Sequence, residues 1–242
     1  MRVIIFANGE FTDPQGAREL LRPDDHVIAA DGGTRHALAA GAVPDVIIGD
    51  LDSLSPDERA RAEAAGSRVI QFSPRKDETD LELALRHAAR EGATEIVILA
   101  ALGGRLDQTI ANLLLLALPE LGRLDVRVVD GAQTAFLIRG EGPGPDALAP
   151  ASPINRGVRG RMADDPGRGG VSIAGLPGDT LSLIPLGGDA VGVTAEGVEW
   201  PLHEDTLRFG LARGVSNVFR AEQAHVRVRE GVLLCVVTRE GA

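Results

Sequence analysis

The stretch Val46-Ile47-Ile48-Gly49-Asp50-Leu51-Asp52-Ser53 decides how the fold of this chain is interpreted. Its three apolar residues in a row predict a buried strand that ends at Gly49. Two carboxylates, Asp50 and Asp52, follow at the exit of that strand, one residue apart. Ligands of an open α/β sheet bind just outside the carboxyl ends of its strands. We therefore expect both side chains to face a ligand crevice.

Two like charges this close are unfavourable unless hydrogen bonds or a cation offset their repulsion. Carboxylate oxygens with no thiol nearby suit Mg²⁺, which binds through one or two carboxylates together with substrate phosphates. The alternative is that Asp50 and Asp52 only cap a turn and the helix after it, as Asp often does. Taken alone, the motif favours capping, because short acidic motifs occur in many unrelated loops.

Composition narrows the class of protein. The 242 residues suffice for one large or two small domains, and 44% hydrophobic with 25% charged residues is typical of globular proteins. The net charge of −10 argues against a nucleic-acid surface, which needs a basic stripe, but not against a nucleotide. The single cysteine, Cys235, lies in an apolar run and is expected to be a buried, inert thiol. No stretch is apolar enough for a membrane span and no signal peptide precedes the first strand, so we expect a cytoplasmic protein.

Strand-like and helix-like segments alternate over the first 131 residues. Strands are predicted at residues 3–7, 27–30, 46–48, 69–72, 96–100 and 126–129. Helices are predicted at residues 34–40, 56–65, 79–90 and 106–118. This alternation predicts an α/β domain over residues 1–131, with a mostly parallel sheet and helices on both faces.

The pattern changes after Asp130, where short strand-like runs are separated by glycine and proline. These runs cover residues 136–138, 171–173, 181–184, 191–194, 225–228 and 232–237. Residues 229–231 are expected to form a tight hairpin between the last two runs. They predict an all-β sandwich domain over residues 132–242. Residues 140–170, rich in Gly, Pro, Ala and Arg, predict a mobile insertion. Its arginines, such as those at positions 156, 159 and 161, fit a solvated loop better than a phosphate clamp.

Four polar clusters fall at strand exits of the first domain. They are Asp31-Gly32-Gly33, Asp50-Leu51-Asp52-Ser53, Lys76-Asp77-Glu78-Thr79-Asp80 and Gly103-Gly104-Arg105-Leu106-Asp107-Gln108. Because the exits of parallel strands share one edge, we expect the clusters to converge on one crevice. The planar guanidinium of Arg105 suits two phosphate oxygens. The alternative role for this side chain is a surface ion pair with Asp107. Asp77 and Asp80 can share one face at a helix start, where N-capping is the alternative.

These clusters, in this order and spacing, resemble the thiamine pyrophosphokinase (thiamine diphosphokinase) family. Further matching pieces are Pro44-Asp45, Asn112, Gly197-Val198-Glu199-Trp200-Pro201-Leu202, Phe209-Gly210 and Gly214-Val215-Ser216-Asn217. The resemblance covers nearly the whole chain except residues 140–170. The family's fold, an α/β domain followed by a β-sandwich, agrees with the fold predicted from the pattern of strands and helices.

The resemblance implies transfer of a pyrophosphoryl group from ATP to the hydroxyethyl group of thiamine, giving thiamine diphosphate and AMP (EC 2.7.6.2). It implies Mg²⁺ as cofactor, residues 1–131 as the ATP-binding catalytic domain and residues 132–242 as the thiamine-binding domain. It also implies a homodimer whose active site is shared between the α/β part of one chain and the sandwich of the other. Nucleic acid and membrane are not expected as partners.

The resemblance also assigns roles to individual residues. The expected metal ligands are Asp50, Asp52 and Asp80, and the catalytic set adds Asp77, Arg105 and Asp107. The expected nucleotide-binding residues are Asp31, Gly32, Gly33, Ser53, Lys76, Thr79 and Gln108. The expected thiamine-binding residues are Trp200, on which the cationic ring stacks, with Thr194, Ser216 and Asn217. Glu196 departs from the pattern, because a small hydroxyl residue is expected there.

Other interpretations remain open from the residues alone. The enzyme could transfer the pyrophosphoryl group to another heterocyclic alcohol, such as a hydroxymethylpterin. A nucleotide-binding regulator without turnover would use the same acidic cluster. Without the resemblance, the lone Trp200 would be assigned to the core, and Asn217 could simply hold a turn.

Overall fold

The computed structural model describes residues 1–140 and 170–241, which fall into two compact units. The first unit comprises Met1–Leu115 and Val126–Gly131. The second comprises Leu116–Asp125 and the described residues from Ala132 onward. The predicted insertion, with its arginines, lies outside the described residues except for its end residues Gly140 and Gly170.

The first unit contains a mostly parallel sheet. Its strands are β1 (Arg2–Phe6), β2 (His26–Ala30), β3 (Val46–Gly49), β4 (Arg68–Gln71), β5 (Glu95–Leu99) and β6 (Asp125–Asp130). They lie in the order β6-β5-β1-β2-β3-β4, and β1 to β5 pair in parallel. The carboxyl ends of these strands therefore share one edge of the sheet, as the sequence predicts.

Five helices connect these strands. They are α1 (Pro14–Leu20), α2 (Gly33–Ala39), α3 (Pro56–Ala64), α4 (Asp80–Arg90) and α5 (Leu106–Leu115). Helix α1 was not predicted, because it is short and buries only Ala17, so it carries no periodic pattern. The prediction that α5 reaches residue 118 is wrong. Pro119 forces Leu118 into an extended conformation with ψ of 132°, and the Leu116 carbonyl accepts a hydrogen bond from Arg139.

Apolar side chains cover both faces of this sheet. Ile4 and Phe6 of β1 pack with Ala17 of α1 and Ala37 of α2. Ile5 points to the other face, because successive side chains alternate, and it is fully buried too. Helix α4 packs against β1, β2 and β3 and buries four apolar residues, which are Leu81, Ala84, Leu85 and Ala88. The predicted α/β class is confirmed.

The second unit contains two antiparallel sheets. Its strands are β7 (Gln133–Arg139), β8 (Val171–Ala174), β9 (Thr180–Pro185), β10 (Ala190–Glu196), β11 (Leu202–Leu207), β12 (Asn217–Val218), β13 (Gln223–Arg227) and β14 (Val232–Thr238). The strand orders are β12-β9-β14-β7 and β11-β10-β13-β8. The prediction that residues 229–231 form a hairpin between the last two strands is wrong, because β13 pairs with β8 and β10 in one sheet while β14 pairs with β7 and β9 in the other. Side chains of both sheets form one core, which confirms the sandwich. Cys235 is fully buried in that core, and burial raises the pKa of its thiol far above the usual range, as expected for an inert residue.

Strands β11 and β12 were not predicted. The interior of β11 reads His203-Glu204-Asp205-Thr206, which lacks the apolar run of a buried strand, and Glu204 has a positive φ of 54°. Strand β12 has only two residues, too few for any pattern. Among the described residues, none of the helices has the length and apolar character that crossing a bilayer requires.

Replacing a fully buried leucine of α4 tests the packing of this helix on the sheet. We expect Leu85→Ala to lower the free energy of unfolding by about 2–5 kcal/mol, because it leaves a cavity between α4 and the sheet. Urea denaturation followed by circular dichroism measures the change. The exposed Leu38→Ala on α2 is the control and should change stability by less than about 0.5 kcal/mol. Equal effects of the two variants would contradict the described packing.

Candidate active site

The strand exits of the first unit surround a crevice of about 600 Å³. Most of the predicted first-domain site residues line it. They are Asp31, Asp50, Asp52, Ser53, Lys76, Thr79, Asp80, Arg105 and Gln108, and Gly103, Gly104 and Asn112 of the matching motifs join them. Asp77 and Asp107 are exposed and are not among the lining residues, and Gly32 and Gly33 lie at the start of α2.

Three carboxylates meet in this crevice closely enough to share one ion. Asp31, Asp50 and Asp52 each offer an oxygen, and these oxygens lie within 4.8 Å of one another. Asp31 is only 3% exposed, and its Oδ1 has no hydrogen-bond partner among the described residues. A buried carboxylate oxygen without a donor is costly unless a ligand satisfies it. Sequence reasoning assigned Asp31 to the nucleotide and not to this acidic group.

Gly49 lets a fourth carboxylate approach. A Cβ at this position would lie 3.0 Å from the Cβ of Asp31 and 3.1 Å from Oδ1 of Asp80. Any side chain at position 49 would therefore push the two acids apart. Asp80 is the first residue of α4 and reaches the cluster across this glycine, while Thr79 caps the helix by accepting a hydrogen bond from the Glu82 amide. We refer to Asp31, Asp50, Asp52 and Asp80 as the acidic cluster.

Lys76 contacts two members of the acidic cluster. Its Nζ lies 2.8 Å from Oδ1 of Asp80 and 3.5 Å from Oδ2 of Asp50. Burial raises the pKa of Asp80, and the charges of Asp50 and Asp31 add to that rise while Lys76 opposes it. Partial burial alone would lower the pKa of Lys76, but Asp80 and Asp50 raise it overall, so the ammonium stays charged. That Asp50, Asp52 and Asp80 together hold one ion remains a prediction.

Arg105 and Asp107 form the surface ion pair that the sequence offered as an alternative. Nη2 of Arg105 lies 2.5 Å from Oδ2 of Asp107, and both side chains are exposed. Asn112 is buried and donates a hydrogen bond of 2.7 Å to the carbonyl of Ala101. Asn112 thus anchors the exit of β5, and Arg105 is one of the residues that line the crevice.

The loop after β1 also borders the crevice, and the sequence patterns predict no role for it. Asn8, Gly9 and Glu10 line the crevice. The Asn8 side-chain amide donates to Ser53 Oγ over 3.4 Å, and the His36 ring contacts the Gly9 carbonyl at 3.1 Å. Burial lowers the pKa of His36, so its neutral form holds this loop. The signal for this loop was its place at a strand exit.

The predicted thiamine-side residues lie in the second unit. Trp200 is 58% exposed, which excludes the alternative that it belongs to the core. Asn217 Oδ1 accepts a hydrogen bond of 3.0 Å from the Trp200 amide, and its Nδ2 donates to the Trp200 carbonyl over 2.7 Å. Asn217 therefore holds the turn that presents the indole. The Ser216 amide donates to Ser182 Oγ over 3.0 Å, and Ser216 adopts a left-handed φ of 59°.

Two further positions of the second unit were singled out by the family resemblance. Thr194 and Glu196 both belong to β10, where they pair with Arg227 and His225 of β13. Residues two apart in a strand point to the same face, so Thr194 and Glu196 share one face of this sheet. Glu196 is exposed at the end of the strand, so the departure from the family pattern places a carboxylate at the surface.

Comparison with known proteins assigns both units to one family. Residues 17–127 match the family model described as "Thiamin pyrophosphokinase, catalytic domain". Residues 171–233 match the model described as "Thiamin pyrophosphokinase, vitamin B1 binding domain". Together the two matches span more than half of the chain. The chain belongs to the thiamine pyrophosphokinase family. This confirms the resemblance inferred from the sequence.

Individual relatives agree with this family. Thiamine pyrophosphokinase of Bacillus subtilis is 36% identical over 109 residues, covering 44% of this chain and 51% of the relative. Thiamine pyrophosphokinase 1 of Arabidopsis thaliana is 30% identical over 191 residues, or 76% of this chain and 61% of the relative. The matched regions thus span less than two thirds of each of these relatives.

Solved structures of the family share the fold. The crystal structure of the Bacillus subtilis thiamine pyrophosphokinase superposes with a TM-score of 0.77 at 24% identity, over 99% of this chain and 100% of that one. The Candida albicans thiamin pyrophosphokinase superposes with a TM-score of 0.69 at 17% identity, over 99% of this chain and 89% of that one. These likenesses show the fold.

A methyl group at position 49 tests the steric basis of the acidic cluster. We expect Gly49→Ala to weaken Mn²⁺ binding at least about tenfold, because the new Cβ separates Asp31 from Asp80. Electron paramagnetic resonance of free Mn²⁺ measures the affinity. Gly188→Ala, where an added Cβ meets nothing within 4 Å, is the control. Unchanged affinity in a folded Gly49→Ala variant would show that the cluster does not need this close approach.

The turn that carries Trp200 has a direct optical readout, because the chain contains one tryptophan and no tyrosine. We expect Asn217→Ala to lower the fluorescence anisotropy of Trp200, since both hydrogen bonds to its backbone are lost, each of which is worth about 0.5–1.5 kcal/mol. Asn217→Asp keeps the acceptor and loses the donor, so its anisotropy should fall in between. If both variants match the wild type, Asn217 does not position the indole.

Proposed function

We propose that this chain transfers a pyrophosphoryl group from ATP to the hydroxyethyl group of thiamine, giving thiamine diphosphate and AMP. The observation that carries this proposal is the buried oxygen of Asp31, which has no partner in the described part of the chain and lies beside Asp50 and Asp52 in a crevice of the first unit. Family membership and the names of the relatives support the reaction and both substrates.

The donor set fits Mg²⁺. Its members are hard carboxylate oxygens, with no thiol or imidazole in the group of three, and Mg²⁺ prefers such oxygens. We propose that Asp31, Asp50 and Asp52 hold the ion and that Asp80 joins them once the nucleotide is bound. When bound, Mg²⁺ supplies positive charge beside the phosphates during the transfer.

The residues around the acidic cluster suit a triphosphate. Gly103 and Gly104 have positive φ of 80° and 66° and expose their backbone to the crevice. Lys76 and Arg105 carry the positive charges that line it, and both are suited to phosphate oxygens. Gln108, Thr79 and Ser53 add polar groups. We propose that these residues orient the donor and that one carboxylate takes the proton of the attacking hydroxyl.

The second unit supplies features that suit thiamine. The exposed face of Trp200 suits a cationic thiazolium ring, because cations are attracted to the face of an indole. Asn217 and Ser216 surround the base of that turn. Thr194 and Glu196 lie on one face of β10, and the Glu196 carboxylate would favour the same positive charge. We propose this group as the acceptor-binding residues.

Two exposed apolar surfaces support the proposed homodimer. Leu106, Ile110 and Leu114 repeat every four residues along α5 and are exposed, so they form a stripe on one side of that helix. Phe209, Leu211 and Val215 of the second unit are exposed as well. Contiguous apolar surface of this kind marks interfaces. We propose that two copies of the chain bury these surfaces against each other and share their active sites. We also propose that this homodimer is cytoplasmic.

The reaction is tested by measuring AMP release with ATP, Mg²⁺ and either thiamine or a hydroxymethylpterin. We expect release with thiamine only, and we expect Asp52→Asn to lower kcat by at least about 100-fold, because one charge facing the phosphates is lost. Asp24→Asn, an exposed residue outside the crevice, should be as active as the wild type. AMP release only with the pterin would show that thiamine is not the acceptor. ATP binding without AMP release from either mixture would favour a nucleotide-binding regulator without turnover.

A further inference from the structure

Lys76 is the only lysine of the chain, and its ammonium lies inside the acidic cluster. Its side chain is 11% exposed, and its Nζ contacts Oδ1 of Asp80 at 2.8 Å and Oδ2 of Asp50 at 3.5 Å. The lysine therefore already compensates two of the carboxylates without any ligand. Asp31 and Asp52 have no such contact with Lys76, and Oδ1 of Asp31 has no partner among the residues described.

The ammonium and a divalent ion compete for the same oxygens. An ion bound to both Asp50 and Asp80 would lie about 2.1 Å from each carboxylate, next to the position of Nζ. The ion and the ammonium would repel each other strongly at such close range, so one of them has to leave. Lys76 can move, because a lysine is a compact charge on a flexible four-carbon stem.

A second negative partner is available within the crevice. Lys76 lines it together with Gly103, Gly104 and Arg105, which are the residues that suit a triphosphate. A phosphate there would attract the ammonium more strongly than a carboxylate whose negative charge is partly neutralised by a bound metal. Lys76 would thus pair with the carboxylates before the nucleotide binds and with the phosphates afterwards.

We propose that Lys76 is an exchangeable counter-ion of Asp50 and Asp80, which the phosphates of the nucleotide draw away so that metal and nucleotide bind together. This inference rests on the proposed function, because it assumes that the crevice takes a nucleoside triphosphate. It makes Lys76 a positioning residue that couples the two ligands. Such coupling is reciprocal, so the nucleotide raises metal affinity by the factor by which the metal raises nucleotide affinity.

Mn²⁺ binding to the full chain, measured by electron paramagnetic resonance with and without a non-hydrolysable ATP analogue, tests the proposal. In the wild type we expect weak binding alone and much tighter binding with the analogue. We expect Lys76→Gln to bind Mn²⁺ about tenfold more tightly without nucleotide and to lose about tenfold of the nucleotide effect, within the usual range of coupling between sites.

Arg75→Gln is the matched control, because it removes the same charge from the neighbouring exposed residue. It should change Mn²⁺ affinity less than about twofold, since exposed charges are screened by solvent and salt. If Lys76→Gln behaves like Arg75→Gln, or keeps the full nucleotide effect, the exchange is contradicted. Lys76 would then stay on Asp80 while the ion sits on Asp31, Asp50 and Asp52.

The unmodified sequence offers a second measurement that needs no variant. Reductive methylation with ¹³C-formaldehyde labels the single lysine and the N-terminal amine, and nuclear magnetic resonance then follows the Lys76 signal. We expect this signal to move when Mg²⁺ and the analogue are added together. A signal that stays in place overturns the proposal. None of these experiments contains thiamine, so the exchange can fail while transfer to thiamine is observed, or hold while transfer is absent.

Discussion

The gathering of four carboxylates around Gly49 is the constraint on which the site depends. Like charges at this distance raise the free energy of the folded chain unless a cation offsets them. The ammonium of Lys76 offsets part of that charge, and Oδ1 of Asp31 still has no donor among the residues described. The crevice is therefore arranged to receive positive charge. We infer that the repulsion among these carboxylates affects both the stability of the folded chain and the binding of cations in the crevice.

The parallel sheet keeps the acids together against this repulsion. Strands β1, β2, β3 and β5 are buried on both faces, so their exits are held in fixed positions. Three residues just beyond the strands, Asp31, Leu51 and Ala100, have positive φ of 48°, 66° and 54°. Such conformations cost about 1–3 kcal/mol each outside glycine. The packed core of the unit compensates for strain that the loops of the site impose.

Much of this architecture could be predicted from the sequence, because buried strands and glycine-marked exits leave local patterns. The convergence of Asp50, Asp52 and Asp80 on one crevice followed from the parallel strand order alone. The group of Asp31 with Asp50 and Asp52 did not, because distances between loops depend on tertiary packing. The pairing of Lys76 with Asp80 and the two bonds from Asn217 to the backbone of Trp200 were hidden for the same reason, while the exposure of Trp200 was expected only from the family resemblance. Helix α1 and strand β11 lacked a periodic apolar pattern altogether.

The central claim is that carboxylates from separate strand exits share one divalent ion. A crystal of the chain grown with Mn²⁺ and a non-hydrolysable ATP analogue tests it most directly, through anomalous diffraction from the metal. We expect a peak about 2.1 Å from oxygens of both Asp50 and Asp52, with at least one more acid of the cluster bound to it. An ordered nucleotide in the crevice with no metal peak at these carboxylates would show that they do not share an ion.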